Sequence, residues 1–299
     1  MSIDSTRINQ NLAVWDLATS VLPDCCPTFC FLRKYLDRRL KIEPLEKEIF
    51  SNLFVYNLGM NQSNSEDIAS WSLVSQLDIK KFGDDGDPAR QLLLTPTIFE
   101  LIGNVKDKSV LDAGCGTGYL ARKLAREGAI VTGIEPAKSF FENCVQREKE
   151  DKLGITYLQD DLSEFDPSKF AFDLVVSNMV FMDIANYQRA MLNCIKSLKN
   201  GRLFVFSISH PCFPGSDKDW QKLGYVKISE YFNRKPQKNN FGSSYDRPIQ
   251  NYVNFLIANG CDIVQMVEPQ ISKEVAEEDK NWDRNYHVPQ FLFISARKK

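Results

Sequence analysis

Short apolar runs alternate with amphipathic segments from residue 109 to the end of the chain. Runs rich in Val, Ile and Phe predict strands, and segments with apolar residues three or four positions apart predict helices between them. We expect strands at SVLDAG, AIVTGIE, ITYLQ, FDLVVSN, RLFVFSIS, CDIVQMVE and PQFLFISARK. This alternation predicts an α/β fold with a doubly wound, mostly parallel sheet of seven strands and helices on both faces.

The first part of the chain has helical spacing without strand-like alternation, as at Leu12 and Trp15. Prolines and polar stretches divide this part into short helices. We therefore expect a helical N-terminal cap or lid over residues 1–82 and a second domain over residues 83–299. Within that domain, residues 211–248 are polar, contain aromatic residues and show little periodicity, so we expect an insertion that covers the substrate.

Composition and charge exclude several classes of protein. Hydrophobic residues make up 43% of the chain, enough for a sizeable core, and the net charge is −2 without basic stripes. A nucleic-acid partner is therefore not expected, because phosphate binding needs clustered Lys and Arg. No apolar segment approaches the ~20 residues that span a bilayer, and no signal peptide is recognisable. We expect a cytoplasmic protein with no membrane span.

The cysteines do not indicate a metal site. Eight are scattered along the chain, and the one cluster comprises Cys25, Cys26 and Cys30. The chain has two histidines, both far downstream, and no second cysteine pair, so the donor set for zinc is incomplete. We expect no metal cofactor and reduced cysteines.

Three alternating glycines follow the first strand, in the sequence VLDAGCGTG at residues 110–118. Such a turn between a strand and a helix lets the backbone approach a nucleoside ligand closely. The dinucleotide fingerprint would need Gly or Ala at the position of Tyr119. The carboxylate of Asp112, at the end of the strand, would repel a pyrophosphate and attract a sulfonium or amino group.

This motif resembles the first motif of the class I S-adenosylmethionine-dependent methyltransferases. The resemblance covers roughly residues 83–299 and continues through LQDDLSEF, FDLVVSNMVFMDI and LKNGRLFVFSISHPCF. It is closest to the small-molecule branch, which includes quinone-biosynthesis and secondary-metabolite enzymes. The chain departs from the family at Asn200-Gly201, where two glycines are usual. The resemblance implies a Rossmann-like sheet and S-adenosyl-L-methionine as cofactor.

The resemblance also implies roles for individual residues. Asp112 would act near the cofactor amino group, Glu135 would accept the ribose hydroxyls, and Asp161 would accept the adenine amine while Asp160 faces solvent. The expected cofactor-binding residues are Arg90, Asp112, Ala113, Gly114, Cys115, Gly116, Gly118, Glu135, Pro136, Asp160, Asp161, Leu162, Asn178 and Met179.

Two positions allow alternative interpretations. Arg90 could reach the cofactor carboxylate or form a surface ion pair with Asp87. His210, at the end of the fifth strand, could be a general base or a structural residue that packs the following turn. The other histidine, His287, is expected in a turn. The residues expected at the acceptor are Phe181, Met182, His210 and Phe213.

The favoured hypothesis is methyl transfer to a hydroxyl of a small molecule, such as a secondary metabolite or a quinone-like compound. N- or C-methylation and a non-catalytic binding subunit remain alternatives. A nucleic-acid base methyltransferase is disfavoured, because residues 177–180 read SNMV instead of an N/D-P-P-F/Y motif. Tyr119 and Asp112 disfavour a dinucleotide oxidoreductase.

Overall fold

A computed structural model describes residues 63–213, 217–232, 234–239 and 241–299 of this chain. The strands are β1 Ser109–Ala113, β2 Ile130–Ile134, β3 Thr156–Leu158, β4 Phe172–Asn178, β5 Leu198–Ser209, β6 Gln237–Asn239, β7 Gly242–Ser244, β8 Cys261–Val267 and β9 Phe291–Lys298. The helices are α1 Ser65–Ser72, α2 Gln76–Lys81, α3 Thr95–Ile102, α4 Tyr119–Arg126, α5 Lys138–Asp151, α6 Tyr187–Ser197, α7 Asp217–Leu223, α8 Ile249–Ala258, α9 Lys273–Glu278 and α10 Asp283–His287.

Seven strands form one sheet in the order β3-β2-β1-β4-β5-β9-β8, which confirms the predicted seven-stranded, mostly parallel sheet. Strand β9 runs antiparallel to both of its neighbours. Strand β1 lies between β2 and β4, so the strand order changes direction there, and the carboxyl ends of these three parallel strands meet at one edge. In doubly wound folds this edge is where ligands bind.

Two hydrophobic clusters cover the two faces of this sheet, because successive side chains of a strand point to opposite faces. Leu111 and Val175 belong to one cluster, whereas Val110 and Val176 belong to the other. Both clusters are fully buried at these strands, as expected for a parallel sheet with helices on both sides. The sheet therefore forms a rigid base for the residues at its edge.

Residues 1–62 of the expected N-terminal cap lie outside the described residues. Its described part forms α1 and α2, which pack against α5. The division at residues 82 and 83 stays a prediction. None of the helices in the described ranges is both long and apolar enough to cross a membrane.

Two expectations about element boundaries need correction. The segment YQRAMLNCIKSLKNG predicts a helix that ends at Gly201. The helix ends at Ser197 instead, because Leu198 is buried and pairs with Phe172 as the first residue of β5. The low periodicity of residues 211–248 predicts a long loop, but this segment contains α7 and a two-stranded hairpin of β6 and β7. A helix that opens at Pro88 with Asp87 as its N-cap is also predicted by the sequence. The structure has a π-helical segment at Arg90–Leu94 that leads into α3, and the Asp87 carboxylate accepts a hydrogen bond from the Arg90 backbone N–H at 2.9 Å.

The substitution Phe181→Ala tests the packing of the core. Its ring is fully buried in edge-to-face contact with Phe204 and Phe206. We expect Phe181→Ala to lower the free energy of unfolding by about 3–5 kcal/mol, because it removes these contacts and leaves a cavity. Chemical denaturation measures this change. Phe232→Ala is the control, since the Phe232 side chain is 70% exposed and its loss should change stability by about 0.5 kcal/mol or less. Equal effects of the two variants would contradict the assigned packing.

Candidate active site

A cavity of about 170 Å³ opens at the carboxyl edge of the sheet. It is bordered by the glycine turn, the ends of β2 and β4, the segment after β3, and α1. The lining residues are Asn64, Asp67, Ile68, Trp71, Phe82, Gly86, Arg90, Asp112, Gly114, Cys115, Gly116, Thr117, Tyr119, Leu120, Glu135, Pro136, Ala137, Phe140, Asp161, Leu162, Asn178, Met179, Val180, Asp183 and Ile184. Most of the predicted cofactor residues are thus brought together.

Asp112 places a buried carboxylate at the end of β1. Its side chain is 1% exposed, and its Oδ2 atom has no hydrogen-bond partner among the described residues. Burial raises the pKa of Asp112 to about 7, and the nearby Glu135 adds to this effect, while a hydrogen bond from the Ala121 backbone N–H opposes it. An unpaired buried oxygen of this kind is a strong acceptor for a ligand that brings a positive charge or a donor.

Glu135 lies at the end of β2, beside Asp112. Its two carboxylate oxygens accept hydrogen bonds from the backbone N–H groups of Gly116 and Ala137, each at 2.9 Å. Burial raises the pKa of Glu135 to about 7, against the effect of these two hydrogen bonds. Each carboxylate oxygen can accept a second hydrogen bond, so Glu135 can hold the turn in place and still contact a ligand.

The glycines of the turn have different surroundings. A Cβ at Gly116, which has a φ of +55°, would meet no heavy atom within 4 Å and would enter the cavity. A Cβ at Gly118 would instead lie 2.7 Å from the Tyr157 hydroxyl oxygen. Gly118 does not line the cavity. Gly116 therefore leaves space for a ligand, whereas Gly118 allows the start of α4 to pack closely.

The segment after β3 places its two aspartates differently. Asp160 is exposed and does not line the cavity, whereas Asp161 is partly buried and does. The side-chain amide of Asn64 donates to both carboxylate oxygens of Asp161, at 3.1 and 2.9 Å. Asn64 also accepts a hydrogen bond from the Asn186 backbone N–H at 2.8 Å, so it joins α1 to the loop after β4.

The end of β4 is held by polar contacts on both sides. The Asn178 side-chain amide donates to the Tyr119 hydroxyl, and its carbonyl oxygen accepts a hydrogen bond from the Ser207 hydroxyl at 2.6 Å. Met179 follows with a positive φ of 61°, and its backbone N–H donates to Ser207. A non-glycine residue in this conformation is strained and is common beside functional sites.

Arg90 forms the ion pair with Asp87 that was one of the two alternatives, and its contact with the cofactor carboxylate stays a prediction. Its guanidinium also lines the cavity. It lies 5.8 Å from the centre of the Tyr119 ring and 5.9 Å from that of Phe82. The charge of Arg90 therefore acts at the cavity wall even while it is paired.

Four residues expected at the acceptor do not line the cavity. Phe181 and Met182 are buried in the core, and Phe213 packs on the ring of His210. His210 is 4% exposed, its Nε2 atom lies 2.7 Å from the carboxylate of Glu268, and its Nδ1 atom accepts a hydrogen bond from the Cys212 backbone N–H. Burial lowers the pKa of His210 despite the Glu268 carboxylate.

Ala113, which was expected to bind the cofactor, is buried in β1 and does not line the cavity.

Several lining residues were not anticipated from the sequence. They include Asn64, Asp67, Trp71, Phe82, Phe140 and Asp183. Asn64 and Asp67 belong to a polar stretch that is typical of a turn, and no local pattern in the sequence indicates their burial. Asp183 lies within the fourth-strand motif, which was the one available signal for it.

The described ranges contain no cluster of three or more His, Cys, Asp or Glu side chains that could hold a metal ion. Cys25, Cys26 and Cys30, considered above for zinc, lie outside the described residues.

Comparison with known proteins places this geometry in context. Residues 110–201 match the family model described as a methyltransferase domain. An uncharacterised protein of Haemophilus influenzae is 29% identical over 230 residues, covering 70% of this chain and 88% of that protein. A ubiquinone biosynthesis O-methyltransferase of Rickettsia conorii is 30% identical over 156 residues, or 52% of each chain. The chain thus spans about half the length of the Rickettsia enzyme.

The solved structures agree on the fold. An S-adenosylmethionine-dependent methyltransferase from Mesorhizobium loti superposes with a TM-score of 0.62 at 23% identity, over 72% of this chain and all of that one.

The substitution Asp112→Asn tests whether burial raises the pKa of Asp112 in the ligand-free protein. Because burial raises its pKa from 3.8 to about 7, its ionisation opposes folding, and this cost appears as the pH rises between these two values. We expect Asp112→Asn to raise the free energy of unfolding at pH 8 by up to about 4 kcal/mol, and to have little effect at pH 3.5. Denaturation at the two pH values measures the difference. The exposed Asp262→Asn is the control, and a destabilised Asp112→Asn protein at pH 8 would contradict the assignment.

Proposed function

We propose that this chain methylates a hydroxyl oxygen of a small molecule. The chain carries a class I S-adenosylmethionine-dependent methyltransferase domain and is an enzyme that transfers methyl groups. The observation that carries the proposal is the buried carboxylate of Asp112, a residue that lines the same cavity as the open glycine turn and a group of aromatic rings.

The residues around the cavity fit S-adenosylmethionine. The Asp112 carboxylate supplies negative charge for the cationic half of the cofactor, and Gly116 leaves open the space that a side chain would fill. Glu135 keeps acceptor capacity for the ribose hydroxyls, and Asp161 can accept the adenine amine. We propose these four contacts on the family resemblance and on the placement of the residues in one cavity.

The rest of the wall suits a planar, partly apolar acceptor. Trp71, Phe82 and Phe140 form one aromatic cluster, in which Trp71 and Phe82 each meet the Phe140 ring edge-to-face. Ile68 and Ile184 add aliphatic surface to the same cavity. An aromatic hydroxyl compound matches such a wall. The name of the Rickettsia conorii relative, a ubiquinone biosynthesis O-methyltransferase, points to the same class of acceptor.

The fold itself does not choose the acceptor, because one scaffold serves many reactions. The structural neighbours include an N-methyltransferase and a [4+2]-cyclase, each with a TM-score of 0.50. Methyl transfer to nitrogen or carbon is therefore a distinct outcome of the acceptor screen.

The screen supplies S-adenosylmethionine with an isotopically labelled methyl group and offers catechol, 3,4-dihydroxybenzoate, hydroquinone, aniline and tyramine as acceptors. We expect a mass increase of one labelled methyl group on an aromatic oxygen, together with S-adenosylhomocysteine. Labelled product on nitrogen or carbon alone would overturn O-methylation. Calorimetry with S-adenosylhomocysteine is the companion measurement, and the absence of binding heat would overturn the cofactor assignment as well.

Gly116→Ala tests the cofactor turn. The added methyl group enters the cavity, so we expect the affinity for S-adenosylhomocysteine to fall by about tenfold or more. Gly201→Ala is the matched control, because Gly201 also has a positive φ, of 76°, and a Cβ added there would meet no heavy atom within 4 Å, but it does not line the cavity. Both variants carry a similar backbone strain of about 1–2 kcal/mol, so calorimetry isolates the effect on the site. Equal affinities in the two variants would contradict the placement of the cofactor at Gly116.

A further inference from the structure

The loop after β4 places one acidic residue, Asp183, in the cavity wall. Residues Phe181–Asp183 form a 3₁₀ turn, in which Phe181 and Met182 are buried in the core. Asp183, the last residue of the turn, lines the cavity. This turn directly follows the end of β4, next to the strand that carries Asp112. Asp183 is therefore held on a packed element, with its position fixed by its two buried neighbours.

Four polar or charged side chains act on Asp183. The Ser244 side chain of β7 hydrogen-bonds to it, the Asp67 carboxylate of α1 raises its pKa, and the cations Arg247 and Arg90 lower it. Desolvation is the largest effect, and the pKa of Asp183 is raised to about 7. No ion pair within 4 Å involves Asp183 in the part of the chain that the structure describes.

The charged neighbours of Asp183 are committed to other contacts. Asp67 accepts hydrogen bonds from the Ser243 backbone N–H at 3.0 Å and from the Tyr245 hydroxyl at 2.9 Å. The Arg247 guanidinium donates to three backbone carbonyls, including that of Phe181 at 2.9 Å. Asp183 is the cavity carboxylate on this side that is left to exchange a proton with a ligand.

The other titratable groups suit this role less well. Asp112, Glu135 and Asp161 lie on the cofactor half of the cavity in the proposed function. The Tyr119 hydroxyl accepts a hydrogen bond from Asn178, and burial raises its pKa to about 12. His210 lies outside the cavity lining, in contact with Glu268.

We propose that Asp183 is the catalytic base that accepts the proton of the acceptor hydroxyl. This inference rests on the proposed O-methylation. When bound, S-adenosylmethionine supplies an electrophilic methyl group, to which an oxygen lone pair of the acceptor forms a bond while the electron pair of the broken S–CH₃ bond stays on sulfur. The hydroxyl proton passes to a carboxylate oxygen of Asp183, which later releases it to water. The acceptor oxygen thus ends neutral, as a methyl ether.

The charge of Arg90 also bears on this step. Arg90 lowers the pKa of Asp183, and a positive charge at this side of the cavity would stabilise an oxygen that loses its proton. The raised pKa of Asp183 also matches general-base catalysis near neutral pH.

The test compares Asp183→Asn with the unchanged enzyme, using two acceptors that differ in hydroxyl acidity, catechol and 4-nitrocatechol. Asn keeps the shape of the side chain and an oxygen that can accept a hydrogen bond, but it cannot take a proton. With catechol we expect kcat to fall by about 100-fold to 10,000-fold and to lose its rise with pH below 7. With 4-nitrocatechol, whose hydroxyl is largely ionised above neutral pH, the loss should be at least tenfold smaller.

Binding provides a readout apart from turnover. The affinity for S-adenosylhomocysteine by calorimetry, and for 4-nitrocatechol in that complex by visible absorbance, should stay within about threefold in Asp183→Asn. The exposed Asp262→Asn serves as the matched control for the substitution. Asp183→Glu, which keeps a carboxylate, should retain the dependence of kcat on pH, and it replaces Asp183→Asn if that variant does not fold.

Three results would overturn the assignment. They are an equal loss with both acceptors, a loss of 4-nitrocatechol binding that matches the loss of turnover, and a pH dependence that disappears in His210→Gln instead. Failure of the proposed function is distinguishable, because the unchanged enzyme would then methylate neither catechol nor 4-nitrocatechol.

Discussion

The burial of two carboxylates at the ends of neighbouring strands is the constraint on which this site depends. Asp112 and Glu135 are 1% and 9% exposed, and burial raises the pKa of each to about 7. Without a ligand, each ionised carboxylate opposes folding at neutral pH, and the fully buried sheet beneath them offsets this cost. The two carboxylates are thus kept at the cavity at a cost in stability.

Glu135 links this constraint to the glycine turn. Its carboxylate accepts hydrogen bonds from the backbone N–H groups of Gly116, in the turn, and Ala137, the residue directly before α5. Glu135 therefore fixes the conformation of both segments. A ligand that contacts Glu135 therefore meets a backbone whose conformation is already set. One wall of the cavity is held from a segment that is distant in sequence, since Asp67 of α1, which lines the cavity, accepts a hydrogen bond from Ser243 of the β6–β7 hairpin. The insertion thus contacts a cavity residue, although none of its described residues lines the cavity itself.

The cofactor half of the site was predictable from the sequence, whereas the opposite wall was not. Parallel strands bring their carboxyl ends to one edge, so locating β1 and β2 is enough to place Asp112 and Glu135 together. The contacts of Asn64 and Asp67 join residues 97 and 176 positions apart, and nothing in their local sequence specifies these partners. The role of each cofactor residue remains a prediction, since its presence at the cavity does not by itself establish a contact.

The topology of the sheet explains why a position after a strand is not enough to identify a catalytic group. His210 and Asp183 both follow parallel strands at the same edge of the sheet. The strand order reverses between β1 and β4, and the crevice of a doubly wound fold opens at that point. Asp183 follows β4, which borders the crevice, whereas His210 follows β5, where the His210 backbone N–H donates to Gln290, just before β9. The position of a strand in the sheet, more than the type of side chain at its end, therefore decides which residue lies at that crevice.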